Sequence, residues 1–186
     1  MKSLALGDKA PKADIKMKDV SGEAYSLTDL TDENGLLVIF SCNTCPFVIG
    51  NGTKSEGWEG RYNDLFTLAE ENQIGMVLVN PNEAKRDQGD SFKDMVAHAK
   101  KQNYESHYVI DENHVLADAF GAMRTPHVYL FDGNSQLVYH GAIDDNVNRA
   151  SEVQATYLMD ALGSIGLNEA ITIKETPAMG CSIKRK

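Results

Sequence analysis

A short apolar run that ends in two closely spaced cysteines is the feature that most constrains the fold of this chain. Residues 36–40 are leucine, valine, isoleucine and phenylalanine, a composition typical of a buried strand. Cys42 and Cys45 follow directly, separated by two residues. At this spacing two thiols can close a small disulfide ring and open it again. A helix that begins there would lower the pKa of the first thiol. The sequence therefore predicts a dithiol redox site at a strand end.

Length and charge narrow the class of protein. We expect the 186 residues to form one domain, 1–186, with residues 165–186 as a C-terminal tail. The net charge of -9 argues against nucleic acid and against an anionic membrane as partners. No apolar run approaches the ~20 residues of a membrane helix, and the first residues do not resemble a secretory signal. An odd number of cysteines, three, fits a reducing compartment. These features predict a cytoplasmic location.

Strand-like and helix-like segments alternate along the rest of the chain. We predict a small N-terminal hairpin from residues 14–17 and 24–27, followed by strands at 36–40, 75–80, 107–110, 127–131 and 136–140. Helices are predicted at 90–102, 115–120 and 151–165. In the first of these, Ser91 is the expected cap, and the apolar face is expected to contain Phe92, Met95, Val96 and Ala99. This order predicts an α/β fold with a mixed central β-sheet flanked by helices and an N-terminal β-hairpin extension.

Several segments together carry a family resemblance. They are residues 7–11, the stretch 40–48 around Cys42 and Cys45, residues 119–126, residues 138–146 and the Gly-Cys-Ser-Ile-Lys sequence at 180–184. In combination the chain resembles thioredoxin-fold proteins of the peroxiredoxin-like, AhpC/TSA-related group, over nearly its whole length. The resemblance implies a thioredoxin-like fold with thiol–disulfide chemistry at the cysteine pair. In such a motif Cys42 is expected to be the exposed nucleophile, and Cys45 is expected to resolve the mixed disulfide.

The resemblance also assigns a role to the segment around Pro126. It implies a cis peptide bond between Thr125 and Pro126 beside the two cysteines. The Thr125 backbone would then be exposed for pairing with a substrate strand. Arg124 and His127 flank this proline, and a positive charge on either would favour a Cys42 thiolate. The alternative is that Arg124 is a solvated surface residue and that His127 is a strand residue directed into the core.

The chain departs from the family pattern in two places. The glycine-rich segment 50–60 looks like an insertion in what is normally one helix after the cysteines. The Pro-x-x-x-Thr-x-x-Cys arrangement of true peroxiredoxins is missing, because Ile39 stands three residues before Cys42. Peroxide reduction is therefore the alternative rather than the leading function. In the glycine-rich segment, Trp58 either folds over the site or anchors the segment to the core.

Other readings of the polar and sulfur-containing residues stay open. Cys42 and Cys45 can be buried inert thiols or part of a metal site, but zinc requires about four ligands. A copper-chaperone-like module would use a longer cysteine spacing. Cys181 is either a third redox thiol or a plain tail residue. Asp144 and Asp145 are too few ligands for calcium, and such residues in a turn are usually solvated or cap the next helix.

The sequence thus predicts a thiol–disulfide oxidoreductase that acts on protein or small-molecule disulfides. Cys42 is expected to attack, Cys45 to resolve, and Thr125 with Pro126 to shape the docking groove. No cofactor is implied, because the glycines between 50 and 60 match neither a dinucleotide-binding pattern nor a phosphate-binding loop. The reductant that recycles the pair is not encoded in any recognisable motif.

Overall fold

Alternating strands and helices build the structure, a computed structural model that describes residues 3–186. Most of the longer elements occur where the sequence predicts them. In chain order the strands and helices are β1 (Met17–Lys18), β2 (Ala24–Tyr25), α1 (Leu27–Leu30), β3 (Gly35–Phe40), α2 (Pro46–Ile49), α3 (Tyr62–Glu71), β4 (Gly75–Asn80), α4 (Phe92–Gln102), β5 (His107–Ile110), α5 (Val115–Phe120), β6 (Arg124–Thr125), β7 (His127–Asp132), β8 (Leu137–Gly141), α6 (Tyr157–Gly166) and β9 (Cys181–Ser182). Four short 3-10 turns connect them, at Glu59–Arg61, Glu83–Lys85, Glu112–His114 and Ala150–Glu152.

A five-stranded mixed sheet with the order β5-β4-β3-β7-β8 is the central layer. Strands β3, β4 and β5 are parallel, whereas β7 and β8 run antiparallel to their neighbours. All six residues of β3 are buried because helices cover both faces of the sheet. The strand that leads into the two cysteines is therefore the most enclosed part of the molecule. The predicted mixed sheet is confirmed.

Two hydrophobic clusters fill the space on the two faces of the sheet. Alternate residues of β3 point to opposite faces, so Leu37 and Ile39 join one cluster and Val38 and Phe40 join the other. Helices α2, α3, α4 and α6 supply the first cluster, and α1 and α5 supply the second. Ile183, near the end of the chain, is buried in the second cluster. The tail therefore belongs to the packed structure.

Local capping signals account for helix α4. Ser91 accepts a hydrogen bond from the Asp94 amide, and the Asp94 carboxylate accepts one from the Ser91 amide, which forms a capping box. The predicted cap is confirmed, and the helix begins one residue later, at Phe92. Met95 and Ala99 are buried as expected, but Val96 is 38% exposed, so its assignment to the apolar face is wrong. Val96 lies at the margin of the face that meets the sheet.

The predictions for the N-terminal hairpin and the last helix need correction. The hairpin consists of only two residues in each strand, and Leu27 lies in helix α1, which Ser26 and Asp29 cap. The last helix begins at Tyr157, because residues 150–152 form a separate 3-10 turn. The predicted tail, 165–186, contains strand β9 near its end, and β9 pairs antiparallel with β6. None of the helices within residues 3–186 is long and apolar enough to cross a membrane.

Candidate functional site

The two cysteines lie where β3 ends and a single turn of helix begins. Cys45 is the N-cap of α2, and Pro46 occupies the first helical turn, where its missing N–H is not needed. The helix ends after four residues at Gly50, whose φ of 84° favours glycine. The predicted interruption of the helix is confirmed. The cysteine pair therefore sits on a short turn held between the sheet and the loop that follows.

Trp58 holds the glycine-rich segment to the core. Its side chain is fully buried, and its Nε1 donates a hydrogen bond of 2.8 Å to Asp144. Asp144 also forms an ion pair with Arg61. The anchoring role of Trp58 is thus confirmed, whereas the expectation that Asp144 is solvated is wrong. The exposed Asp145 accepts a hydrogen bond from the Gln154 amide, 3.0 Å away.

Thr125 contacts both cysteine sulfurs. Its Oγ1 lies 3.3 Å from Cys42 Sγ, and its carbonyl oxygen accepts a hydrogen bond of 3.1 Å from the Cys45 thiol. The peptide bond between Thr125 and Pro126 is cis, as predicted. Residues 83 and 80 positions apart in the sequence are thereby brought together. The structure thus joins the two parts of the site that the sequence indicated separately.

Both cysteines are free thiols and both are buried. Cys42 is 1% exposed and Cys45 is 2% exposed. The expectation that Cys42 is exposed is therefore wrong. The reason is tertiary, since both sulfurs lie against Thr125 and the C-terminal tail adds Cys181 beside Cys45. A spacing rule for two cysteines contains no information about such covering segments.

The two thiols influence each other's ionisation. The pKa of Cys45 is lowered to about 5, first by a hydrogen bond from Cys42 and then by hydrogen bonds from the Cys181 side chain and from the backbone amides of Cys181 and Phe47. These interactions outweigh burial, which by itself raises the pKa of Cys45. The pKa of Cys42 is raised well above its ordinary value by its hydrogen bond to Cys45, by burial and by the nearby charge of Asp90. The two thiols therefore titrate as a coupled pair, in which one proton is lost more readily than the other.

Asp90 holds the two residues between the cysteines, and sequence reasoning missed it. Its fully buried carboxylate accepts hydrogen bonds from the Asn43 amide at 2.8 Å and the Thr44 hydroxyl at 2.7 Å. Asn80 and Asn82 donate to the same carboxylate at 2.9 and 3.2 Å. Four donors thus fix the carboxylate, and the carboxylate fixes the cysteine loop.

Tyr108 extends this polar network to a third strand. Its hydroxyl donates to the Asn43 side chain at 2.8 Å and accepts from Asn80 at 2.9 Å. A signal for Asn80 was present in the sequence, because it ends β4, a strand parallel to β3. The carboxyl ends of parallel strands meet at one edge of a sheet, which is where ligands and reactive groups collect in α/β folds.

His127 and Arg124 differ in charge and in exposure. Burial lowers the pKa of His127 to about 3, assisted by the nearby His140 and Arg124, so its imidazole is neutral near pH 7. His127 thus supplies no positive charge, and its alternative reading as a buried strand residue fits the structure. Arg124 is exposed, and its Nη1 donates to the Gly180 carbonyl at 2.8 Å. Its predicted effect on the Cys42 thiolate stays a prediction.

The C-terminal tail returns to the site. In the pairing of β6 with β9, Cys181 stands opposite Thr125. The backbone of Thr125 is therefore not available to a substrate strand, contrary to expectation, because the chain's own strand occupies that edge. Cys181 is partly exposed, and burial together with the neighbouring Cys45 raises its pKa to about 11. The site thus contains three thiols.

Within residues 3–186, no group of three or more histidine, cysteine, aspartate or glutamate side chains has an arrangement that could hold a metal ion. The three thiols of the site lie near one another, but they are not part of such a group. The metal-binding alternative therefore has no support in the geometry of the described residues.

Comparison with known proteins places the chain among redox proteins. The model of the AhpC/TSA family matches residues 6–140. No curated protein gives a significant match. An uncharacterized conserved protein from Geobacillus kaustophilus is similar in structure, with a TM-score of 0.86 and 29% identity over 98% of this chain and 93% of the other. A hypothetical protein from Sinorhizobium meliloti 1021 has a TM-score of 0.86 and 27% identity over 100% of this chain and 97% of the other.

A more distant structure supports the fold. Peroxidoxin BcpB from Mycobacterium tuberculosis aligns with a TM-score of 0.56 and 16% identity, over 89% of this chain and 95% of the other. At this identity the likeness concerns the fold alone. The family match covers most of the chain, including the cysteine pair and the Thr125–Pro126 segment. This chain therefore belongs to the AhpC/TSA family and has a thioredoxin-like fold.

Proposed function

We propose that the protein is a thiol–disulfide oxidoreductase whose working pair is Cys42 and Cys45. One observation carries the proposal: both sulfurs lie against Thr125, at 3.3 Å from its hydroxyl and 3.1 Å from its carbonyl oxygen. This arrangement occurs at the end of the central strand of a redox-protein fold. Inert thiols would not require a thiolate, whereas the hydrogen bonds around Cys45 favour one at neutral pH.

The reaction follows from the chemistry of two neighbouring thiols. A thiolate attacks one sulfur of a substrate disulfide, the substrate S–S bond breaks, and the second substrate sulfur leaves and takes up a proton. The other cysteine then attacks the mixed disulfide, which forms the Cys42–Cys45 disulfide and releases the reduced substrate. The lowered pKa of Cys45 makes one thiolate available in this coupled pair at neutral pH, and the second sulfur of the pair resolves the mixed disulfide.

Access to the sulfurs limits this reaction. With 1% and 2% of their surface exposed, neither cysteine can meet an external disulfide unless a neighbouring segment moves. The substrate class is a protein or small-molecule disulfide that enters after this movement. The predicted cytoplasmic location would keep the pair reduced between turnovers.

A redox titration tests the proposal. The protein is equilibrated in glutathione buffers of graded potential, alkylated, and mapped by mass spectrometry of its cysteine peptides. We expect one two-electron transition in which Cys42 and Cys45 oxidise together, with a potential between ~-270 and ~-120 mV. The single variants Cys42→Ser and Cys45→Ser serve as controls, because neither can form this disulfide. A pair that never forms a disulfide across this range would contradict the proposal.

The family match favours one second candidate, a thiol peroxidase. In that reaction the thiolate attacks a peroxide oxygen, the O–O bond breaks, and water or an alcohol is released after it takes up a proton. The attacking cysteine is then a sulfenic acid. The second cysteine attacks this sulfenic acid, which forms the disulfide and releases water. The test is the rate of peroxide consumption by the reduced protein compared with a free thiol. A rate near that of a free thiol excludes this candidate, and a much greater rate would replace the oxidoreductase proposal.

A further inference from the structure

The last residues of the chain form a strand on the edge beside the cysteine pair. In the pairing of β6 with β9, Arg124 stands opposite Ser182 and Thr125 opposite Cys181. This is the edge that the sequence assigned to an incoming substrate strand. The chain thus fills the position with its own cysteine-bearing segment.

Close packing around Gly180, the residue before Cys181, fixes the position of Cys181. A Cβ atom on Gly180 would lie 2.4 Å from the Thr125 carbonyl oxygen and 3.1 Å from the Pro126 nitrogen, so only glycine fits there without movement. The Gly180 carbonyl accepts a hydrogen bond from Arg124 at 2.8 Å. The tail therefore packs directly against the backbone of Thr125 and Pro126.

The residues after Cys181 are also held in place. The Ile183 amide donates to the Met123 carbonyl at 3.0 Å, and the Ile183 side chain is buried. The Lys184 amide donates to Asn82 at 3.0 Å, and Asn82 donates in turn to Asp90. Because both flanks are fixed, the Cys181 side chain is kept near the sulfurs by the fold.

Cys45 is the sulfur that the other two thiols share. It donates to the carbonyl of Thr125, the residue directly opposite Cys181 in the strand pair. The side chains of both Cys42 and Cys181 lie near enough to it to change its pKa. A sulfur with a thiol on each side can form a disulfide with either partner, provided the backbone separation suits the bond.

We propose that Cys181 is a third redox thiol, which exchanges with Cys42 for the disulfide to Cys45. This inference rests on the proposed function and adds a catalytic residue to it. In the oxidised protein, the sulfur of Cys181 attacks Cys45, the Cys42–Cys45 bond breaks, and the Cys45–Cys181 bond forms. Cys42 leaves and takes up the proton that Cys181 loses. The exchange needs no oxidant or reductant, because one disulfide replaces another.

The exchange has a consequence for turnover. Formation of the Cys45–Cys181 bond releases Cys42 as a thiol while the protein as a whole stays oxidised by two electrons. The β9 strand is then linked covalently to the cysteine turn. The chain acts in this way as its own disulfide partner, at the edge where an external polypeptide would otherwise pair.

Single-cysteine replacements test the proposal directly. Cys42→Ser and Cys45→Ser are oxidised with glutathione disulfide, and their disulfides are mapped by mass spectrometry without reduction. We expect Cys42→Ser to form an intramolecular Cys45–Cys181 bond. Cys45→Ser is the matched control, and we expect its Cys42 and Cys181 to stay unlinked to each other. Free thiols, stable glutathione adducts on Cys45 or intermolecular dimers in Cys42→Ser would overturn the proposal.

A second measurement uses the wild-type protein and does not depend on the folding of these variants. The oxidised protein is acid-quenched, and the two possible disulfides are quantified. We expect both disulfides, and we expect Gly180→Ala to lower the share of Cys45–Cys181 about tenfold, since the added Cβ would meet the Thr125 carbonyl oxygen at 2.4 Å and displace the tail. Gly163→Ala is the control, because a Cβ there meets nothing within 4 Å. Absence of Cys45–Cys181 in the wild type would overturn the inference.

The two proposals can fail separately. If Cys42–Cys45 forms and Cys45–Cys181 does not, the oxidoreductase stands and Cys181 has no redox role. If only Cys45–Cys181 forms, the third thiol is redox-active, but Cys42–Cys45 is not the working pair and the proposed exchange does not occur. If neither bond forms, both proposals fall.

Discussion

At the scale of single residues, the site depends on the coupled ionisation of two neighbouring sulfurs. The neighbouring thiols lower the pKa of Cys45, whereas Cys45, burial and the charge of Asp90 raise the pKa of Cys42. Two cysteines in the same motif therefore differ in acidity because of their neighbours. Such a difference makes a thiolate available in the pair at neutral pH.

The pH dependence of the thiolate gives the first prediction. Because the pKa of Cys45 is lowered to about 5, we expect the reduced protein to keep one thiolate from neutral pH down to about pH 5 and to lose it below. The ultraviolet absorbance of the thiolate measures this without reagent access to a buried sulfur, and the oxidised protein is the blank. The signal should survive in Cys42→Ser, whose hydroxyl can still donate, and disappear in Cys45→Ser. A midpoint near the ~8.5 of a free thiol would contradict the assignment.

Asp90 gives the second prediction at this scale. In Asp90→Asn the new amide group would face the donors of Asn43, Thr44, Asn80 and Asn82, so at least one of these donors would lose its acceptor. We expect the free energy of unfolding to fall by about 3 kcal/mol. Removal of the charge should also lower the pKa of Cys42.

Urea denaturation measures the change in the free energy of unfolding of Asp90→Asn, and thiolate absorbance measures the change in the pKa of Cys42. Asp87→Asn is the matched control, since Asp87 is an exposed residue in the same loop. An Asp90→Asn protein as stable as Asp87→Asn would show that the network does not hold the cysteine turn.

At the scale of elements, the structure depends on how short segments are attached. Helix α2 has only four residues, and the loop after it is held by the buried Trp58 and by the Arg61–Asp144 ion pair. The sequence predicted the interruption from its glycines. It could not identify Asp144 as the acceptor, because that residue is 86 positions from Trp58.

The third prediction concerns this attachment. Asp144→Ala leaves Arg61 and the Trp58 Nε1 without their shared acceptor, and removal of one partner of a buried ion pair is costly. We expect the free energy of unfolding to fall by roughly 3 kcal/mol. Urea denaturation followed by Trp58 fluorescence measures it, since the chain has one tryptophan. In the control Asp145→Ala an exposed carboxylate is lost, and a loss equal to that of Asp144→Ala would refute the role of Asp144.

At the scale of the whole molecule, the tail is part of the same packed structure as the sheet. Ile183 is buried in the cluster formed with α1 and α5, and β9 pairs with β6. A single domain of 186 residues, predicted from length, requires that the tail and the sheet unfold together.

The fourth prediction tests this cooperativity. Ile183→Ala should lower the free energy of unfolding of the whole chain by about 2–4 kcal/mol, because it leaves a cavity in the core. Ile173→Ala is the control, since Ile173 is 45% exposed and should have little effect. We expect fluorescence and circular dichroism to report one coincident transition in both variants. Separate transitions for tail and sheet would contradict the single domain.

Local patterns in the sequence predicted much of this protein. Strand positions, the Ser91 cap and the cysteine turn depend on residues close together in the chain, so periodicity and spacing reveal them. The family resemblance added the fold and the cis bond before Pro126. These properties depend on residues that are neighbours in the sequence, or on a combination of motifs that can be recognised in the sequence.

Only the tertiary structure decided which distant residues complete the site around the two cysteines. Asp90 reaches the cysteine turn from another loop, Thr125 contacts both sulfurs from the segment before β7, and Cys181 returns from the end of the chain. Burial of the two thiols and the acidity of Cys45 follow from these contacts. The physical reason is that pKa and exposure depend on atoms that are close in space, and a linear pattern does not specify which distant residues those are.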